Sequence, residues 1–189
     1  MIIYANQNGQ LKHFGGRGYL LDKGGSGYHI GCDAICAAQD ARDGVGEHSI
    51  LTDLVEEKLG NIVWDSIRDI YEKGQAYIAS FTPCVFRAYE HGDKIAEHIL
   101  KSNAQCLAEL INFVIKHCNA GNYVVASGGI IKQRPDFQDM LKGMLEKDVE
   151  LDVPDYPPVY GACIMCCRLC NIDTKPIEDI FMQSYKEYQ

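Results

Sequence analysis

Two glycine-rich segments are the clearest candidates for anion binding in this sequence. The first covers residues 15–27 and leads into an apolar-periodic run at about 30–41, with Ser26 as a candidate helix cap. The second, Ser127-Gly128-Gly129, follows the β-branched run 123–126. Glycines let backbone N–H groups converge on a phosphate, and a helix that begins behind the turn adds a favourable dipole. In the alternative interpretation, the glycines only supply the positive φ of tight turns.

The spacing of four cysteines suggests a metal site, but their position on one helix argues against it. Four of the nine cysteines form two C-x-x-C pairs, Cys163 with Cys166 and Cys167 with Cys170. These positions lie on one face of a helix, whereas zinc and iron–sulfur sites usually take ligands from turns and from several segments. The pattern therefore favours packing of small apolar side chains. A partial set, His29, Cys32 and Cys36, has no fourth ligand nearby in sequence, so no metal site is predicted.

Composition and missing motifs exclude several classes of protein. The 189 residues are 47% hydrophobic with a net charge of −8, and Lys and Arg form no cluster, which argues against nucleic-acid binding. Neither H-E-x-x-H, G-x-S-x-G nor a P-loop is present. No apolar run is long enough for a membrane span. Residues 1–7 lack a secretory pattern, so reduced cysteines and a cytoplasmic location are expected.

The order of the predicted elements indicates an α/β fold without a linker or repeat. Short strands at 2–5 and 10–14 are joined by an Asn-Gly turn, and helices are predicted near 48–59, 62–73 and 81–91. A long apolar stripe over 96–118 predicts a helix capped by Asp93 and stopped by Gly121. The next predicted elements are a strand, the Gly-Gly turn, a helix at 136–147 and a strand at 149–153. A helix at about 160–170 and a weakly helical tail come last.

Four segments, in this order, resemble one known family. Residues 14–31 resemble its Gly-Gly-Trp-Gly-Tyr…Gly-Ser-Gly-Tyr block, and residues 79–86 with Gly92-Asp93 are similar to its Ala-x-Phe-Ala-Pro…Gly-Asp stretch. Residues 124–130 resemble the adenosine motif of the superfamily, and residues 159–162 its closing Gly-Ala helix. The chain thus resembles the C-terminal lobe of N-acetylglucosamine kinase-like ATPases of the BadF/BadG type, within the actin, hexokinase and Hsp70 superfamily.

The resemblance implies an RNase H-like α/β lobe with a mixed sheet, flanking helices and a helical insertion at about 44–92. It further implies phosphoryl transfer from Mg-ATP to an amino-sugar hydroxyl in a two-lobe enzyme. By resemblance, the nucleotide would lie against Ser127, Gly128, Gly129 and Gly161. The sugar and phosphate would lie against Gly15, Gly16, Arg17, Asp22, Gly24, Gly25 and Ser26.

Other parts of the family pattern do not match this chain. Its N-terminal lobe carries an Asp-Gly-Gly-Gly-Thr phosphate loop and an Asp general base, and a Gly-Thr-Gly-Ser loop precedes the first hairpin. Residues 1–189 are therefore expected to form only the C-terminal lobe, with no catalytic residue and no activity alone, because phosphoryl transfer depends on positioning by such groups. Arg17, Lys23 and His29 replace the Trp, acidic residue and Asp common in the family.

Two alternatives remain at this level. In the first, the chain is a non-catalytic binding or assembly module, with a second copy or a partner chain covering the face where the other lobe would lie. In the second, it belongs to the iron–sulfur activator branch of the same family, although the cysteine-containing glycine motif of that branch is not visible here.

Overall fold

The computed structural model describes residues 1–8, 10–119 and 121–187. Its strands are β1 (Ile2–Gln7), β2 (Gln10–Gly15), β3 (Tyr123–Val125) and β4 (Glu150–Asp152). Its helices are α1 (Gly27–Asp43), α2 (Ile50–Leu59), α3 (Val63–Ala79), α4 (Thr82–Glu90), α5 (Lys94–Cys118), α6 (Gly129–Gln133), α7 (Pro135–Met144), α8 (Pro158–Leu169) and α9 (Lys175–Glu187). The predicted α/β class is confirmed, and α2 to α4 fall within the predicted helical insertion.

The strands form two separate pairs. β1 and β2 are antiparallel, with Ile2 opposite Gly15 and Gln7 opposite Gln10. β3 and β4 are parallel and are connected through α6 and α7, as a parallel pair requires. Both kinds of pairing expected of a mixed sheet are present, but β1 and β3 do not bond to each other in the described chain, so the ladders belong to two sheets. Gly9, part of the predicted hairpin turn, lies outside the described residues.

Helix α1 lies at the centre of the main core. Its buried face includes Ile30, Ala34 and Ala38, and it packs against α2, α3, α4 and α5. Ser26 caps this helix as predicted, since its hydroxyl accepts the backbone N–H of His29. The small side chains on the buried face let four neighbouring helices approach α1 closely, and α1 in turn fixes the position of the glycine segment that precedes it.

Asp93 caps two helices with one carboxylate. Its Oδ1 accepts the N–H groups of Ile95 and Ala96 at the start of α5, and its Oδ2 accepts the N–H of Leu51 in the first turn of α2. Burial alone would raise the pKa of Asp93, but the N–H groups of Ala96 and Leu51 stabilise the charged form and hold the pKa below its ordinary value. The predicted cap of the long helix therefore also fixes α2.

Replacing Asp93 by alanine is expected to lower the free energy of unfolding at pH 7 by roughly 3 kcal/mol, because three N–H groups, two of them buried and one partly buried, lose their acceptor. The folded-state pKa lies below the unfolded value, so the contribution is complete above about pH 4 and is lost as the pH falls further. Urea titrations at pH 7 and pH 3.5 should show the difference between D93A and the parent shrinking at acid pH. Asp65→Ala, in the exposed first turn of α3, is the control and should cost about 0.5 kcal/mol or less at both pH values.

Helices α8 and α9 contribute no described residue to the main core. Helix α8 contains no buried residue, and Tyr160 on α8 contacts the ring of Phe181 on α9 at a centroid distance of 5.2 Å. Cys166 and Cys170 are exposed, and Cys163 and Cys167 are partly exposed. The expectation that these cysteines pack as core side chains is therefore wrong for this structure, because α8 contributes no buried residue to the core. In the described part of the chain, no helix has both the length and the apolar composition needed to cross a membrane.

Candidate functional site

The first glycine segment begins with a sharp change of direction after β2. Gly15 and Gly16 have φ values of 70° and 68°, which β-carbon-bearing residues rarely adopt. A Cβ on Gly15 would lie 2.6 Å from the carbonyl oxygen of Met1, and the same oxygen accepts the N–H of Gly16. Close backbone approach and positive φ thus account for both glycines. Arg17 follows with an exposed side chain.

A hydrogen-bonded turn then brings the chain to α1. The carboxylate of Asp22 accepts from the amino group of Met1 and from the backbone N–H of Arg17, and the first of these bonds lowers its pKa most. His29 closes the turn: its Nε2 donates to the carbonyl oxygen of Asp22, so Nδ1 accepts the hydroxyl of Ser26 in the neutral ring. The side-chain polar atoms of Asp22, Ser26 and His29 therefore already have partners within the protein.

Gly24 and Gly25 lie against α5. A Cβ on Gly24 would be 2.8 Å from the sulfur of Cys106, and a Cβ on Gly25 would be 2.6 Å from the side chain of Leu107. The N–H of Gly25 donates to the side-chain oxygen of Asn103 at 2.8 Å. These two glycines therefore allow the turn to pack on a helix.

The second glycine segment is open to solvent. Ser127, Gly128 and Gly129 are exposed, and a Cβ added to either glycine would meet no other atom within 4 Å. Gly128 has a φ of 149° and links β3 to α6. In contrast to Gly24 and Gly25, this backbone has no packing partner among the described residues that would explain the absence of a side chain.

A groove of about 560 Å³ connects the ends of the two glycine segments. The groove is lined by Gly27, where α1 begins, and by Gly129, where α6 begins. The hydroxyl of Thr82 on α4 donates to the carbonyl oxygen of Gly27 at 2.8 Å and so fixes the start of α1 against α4. The volume is in the range of small-molecule sites. The groove, hereafter the Gly27–Gly129 groove, is also lined by Ala79, Ser80, Pro83, Phe86, Arg87, Glu90, Ile130, Gln133 and Arg134.

The charge of Arg134 is neutralised within the protein. Its guanidinium contacts Glu90 at 2.7 Å and Asp136 at 2.6 Å, and it lies over the ring of Phe86 at 4.1 Å from the centroid. The bond from Arg134 also lowers the pKa of Asp136. One cation between two carboxylates offers no net positive charge to a phosphate. Arg87, the other cation of the lining, is exposed and lies 3.9 Å from Glu57. The guanidinium of Arg134 and the apolar lining can contact a flat group face to face.

The predicted site residues do not all meet. Gly129 reaches the groove, whereas Gly24, Gly25 and Ser26 are engaged in packing or capping. Gly161 lies on α8, outside the lining of the groove.

The contribution of α4 and α6 to the groove was missed. Pro83, Phe86, Arg87 and Glu90 recur at helical spacing, which is the signal that could have placed them on one face.

Metal-ligating side chains do not cluster in the part of the chain that the structure describes. Among residues 1–8, 10–119 and 121–187, no group of three or more His, Cys, Asp or Glu side chains could hold a metal ion. The cysteines of α8, although they share a face, are not such a group in the described structure.

Comparison with known proteins identifies related sequences over most of the chain. The profile of the BadF/BadG/BcrA/BcrD ATPase family matches residues 1–165. An N-acetyl-D-glucosamine kinase of Dictyostelium discoideum is 35% identical over 171 residues, which cover 85% of this chain and 54% of the relative. An N-acetylmuramic acid/N-acetylglucosamine kinase of Clostridium acetobutylicum is 35% identical over 180 residues, covering 90% of this chain and 59% of the relative. The chain thus spans a little over half the length of these two relatives.

A solved structure supports the fold. A protein from Chromobacterium violaceum assigned as an N-acetylglucosamine kinase superposes with a TM-score of 0.60 at 21% sequence identity, covering 79% of this chain and 54% of that protein. The predicted α/β lobe of an actin-like ATPase fold is confirmed by this likeness and by the family match.

Proposed function

The chain belongs to the BadF/BadG/BcrA/BcrD ATPase family, and from this premise we propose that it forms the C-terminal lobe of an ATP-dependent amino-sugar kinase. In this proposal the Gly27–Gly129 groove receives the adenosine part of ATP. The turn from Asp22 to Ser26 faces the amino sugar and the transferred phosphoryl group, together with Gly15, Gly16 and Arg17. The names of the two 35% identical relatives, both kinases of N-acetylated amino sugars, support the substrate class.

One observation carries the nucleotide assignment. Gly27 and Gly129 lie about a hundred positions apart in the chain, yet both line one groove, and the backbone at Gly129 is unobstructed. Because Gly129 has no side chain, a nucleoside can approach the backbone there closely. The ion-paired Arg134 adds a planar surface without net positive charge.

The groove supplies contacts to a nucleoside but few to the phosphates. Glu90, the acidic residue of the lining, is paired with Arg134, so we assign no magnesium ligand to these residues. Phosphoryl transfer also requires groups that cradle the phosphates and a base that orients the acceptor hydroxyl. In this proposal those groups belong to the other lobe, which fits the 54% and 59% of the relatives' lengths that the chain covers.

Exposed apolar strand faces support a second body beside this lobe. Ile2 and Tyr4 on β1, and Tyr123 and Val125 on β3, are each about half exposed or more. β1 and β3 also each bond to one neighbouring strand in the described chain. Such edges and faces are normally covered. We propose that a second lobe covers them. The same observation favours a second candidate function, an assembly module covered by a partner chain, and nucleotide binding distinguishes the two.

Replacing Gly129 by valine is expected to weaken nucleotide binding at least tenfold without unfolding the protein, because the new side chain meets open space in the protein but occupies the groove. Titration of isotopically labelled protein with ATP, followed by amide NMR, measures this directly. We expect weak binding to the parent chain, with shifts at Gly27 and over residues 129–134. Adenosine should bind within about threefold of ATP, because Arg134 is ion-paired and Arg87 is exposed near Glu57, so that solvent and salt screen its charge.

Gly143→Val is the matched control, since Gly143 also lies in a helix with open space around its Cβ, but on α7 and outside the groove. It should bind ATP like the parent. A folded parent chain that binds neither ATP nor adenosine would contradict the nucleotide assignment and favour the assembly module. Phosphorylation of N-acetylglucosamine by the purified chain would contradict the proposal that the other lobe is required.

A further inference from the structure

The polar side chains that line the Gly27–Gly129 groove are, with one exception, engaged within the protein. The hydroxyl of Thr82 donates to the carbonyl oxygen of Gly27, and the hydroxyl of Ser80 donates to the carbonyl oxygen of Tyr77 at 2.6 Å. The charged side chains of the lining all lie in ion pairs. The exception is Gln133, whose side-chain amide makes no hydrogen bond among the residues that the structure describes.

Helix α6 presents Gln133 from a fixed position. Ile131 is 8% exposed and packs in the main core. The ammonium of Lys132 donates to two successive backbone carbonyl oxygens, those of residues 155 and 156. Gly129 and Gln133 are four positions apart, so they lie on one face of the helix, and both line the groove. The neighbours of Gln133 in the chain therefore hold α6 while its own amide stays available to a ligand.

The residues beside Gln133 determine what can approach its amide. Gly129 leaves the backbone open, since a Cβ there would meet no described atom within 4 Å. The guanidinium of Arg134 is held by Glu90 and Asp136 and forms a flat surface next to Gln133. A ring whose face lies against a flat surface keeps its edge free for hydrogen bonds in the plane of the ring. The amide of Gln133 can therefore bond to the edge of such a ring.

A carboxamide carries an acceptor and a donor side by side in one plane. Adenine offers the complementary pair, because its 6-amino group is a donor that lies next to a ring nitrogen acceptor, and glutamine binds adenine in this way in protein–DNA complexes. The glutamine oxygen would accept from the amino group, and the glutamine NH₂ group would donate to the ring nitrogen. Neither bond requires a charged side chain, which agrees with a lining whose charges are paired.

We propose that Gln133 is the specificity-determining residue of the groove and recognises the 6-amino group of adenine. The inference rests on the proposed function, because it takes the groove to be the nucleoside site, and it assigns the choice of base to one side chain. Loss of the amide should therefore remove a preference between bases, while the contact of the ring face with the groove remains.

Adenosine and purine riboside test the assignment, because purine riboside has a hydrogen atom in place of the 6-amino group. Amide NMR titrations of the labelled chain should show adenosine binding about fivefold more tightly, the effect of one hydrogen bond between neutral groups. Gln133→Met keeps a side chain of similar length without the amide, and it should bind the two nucleosides equally to within about twofold. Gln133 is exposed, so this variant keeps the fold.

Gln75→Met is the matched control, because Gln75 is also an exposed glutamine on a helix, α3, but lies outside the groove. It should keep the fivefold preference for adenosine. Equal affinity of the parent chain for the two nucleosides, or a preference that survives in Q133M, would overturn the role of Gln133 and leave the nucleoside site in place. A folded parent chain that binds neither nucleoside would overturn both this inference and the proposed nucleotide assignment.

Discussion

The variant N103D is expected to lose about 4 kcal/mol of unfolding free energy at pH 7, enough to unfold much of a domain of ordinary stability. Asn103 is 2% exposed and lies in the middle of α5. Its amide nitrogen donates to Asp33 on α1 at 2.8 Å and to the carbonyl oxygen of Ile99 at 3.0 Å, while its oxygen accepts the N–H of Gly25. This one side chain ties α1, α5 and the glycine turn together.

Aspartate at this position keeps the acceptor for Gly25 but removes both donors. The new carboxylate would face the carboxylate of Asp33 and a carbonyl oxygen inside the protein, and like charges at hydrogen-bond distance in a poorly solvated site repel strongly. The loss should shrink as the pH is lowered toward 4, because one proton shared between the two carboxyl groups removes the repulsion. Urea titrations at pH 7 and pH 4.5 measure both values.

Two further variants separate this explanation from loss of packing. D33N/N103D reverses the donor and the acceptor, so it should recover at least half of the lost stability at pH 7. Asn112→Asp, on the same helix, replaces an amide that donates to a backbone carbonyl with no carboxylate opposite, and should cost only about 1–2 kcal/mol. Equal losses in N103D and D33N/N103D would show that charge repulsion is not the cause.

Local signals in the sequence predicted the elements and their caps. Ser26 and Asp93 lie at the beginnings of α1 and α5 as predicted, because a cap depends on residues within one turn of it. Helix ends were less certain. α5 ends at Cys118 and is capped by Asn119, which adopts a φ of 48°, rather than by Gly121. α3 continues past Gly74, which forms a kink with a φ of 71°. Short-range patterns do not decide whether a helix resumes after a glycine.

Contacts between distant segments could not be predicted in this way. Asn103 sits in an apolar helical stripe, which marks it as buried and polar, but its partners lie 70 and 78 positions away. The groove is likewise built by Gly27, Thr82 and Gly129, from three separate parts of the chain. The resemblance to a family placed Gly129 at a nucleotide, whereas the sequence pattern gave no means to pair it with Gly27.

Gly31 on α1 is another position whose contact with a distant segment the sequence pattern does not predict. Its replacement by alanine should lower the free energy of unfolding by about 3 kcal/mol or more. A Cβ there would lie 2.0 Å from the carbonyl oxygen of Ile78 on α3, closer than any real contact. That oxygen also accepts the N–H of Phe81, which is fully buried, so it cannot move without disturbing the junction of α3 and α4. In an isolated helix the same substitution would be favourable by nearly 1 kcal/mol, so the sign of the effect reports the contact between α1 and α3.

Gly143→Ala on α7, where the added Cβ meets open space, supplies the helical preference alone and should raise the free energy of unfolding by about 0.5–1 kcal/mol. Urea unfolding of both variants compares them, and a neutral or stabilising G31A would show that α1 and α3 are not packed as closely as this structure has them.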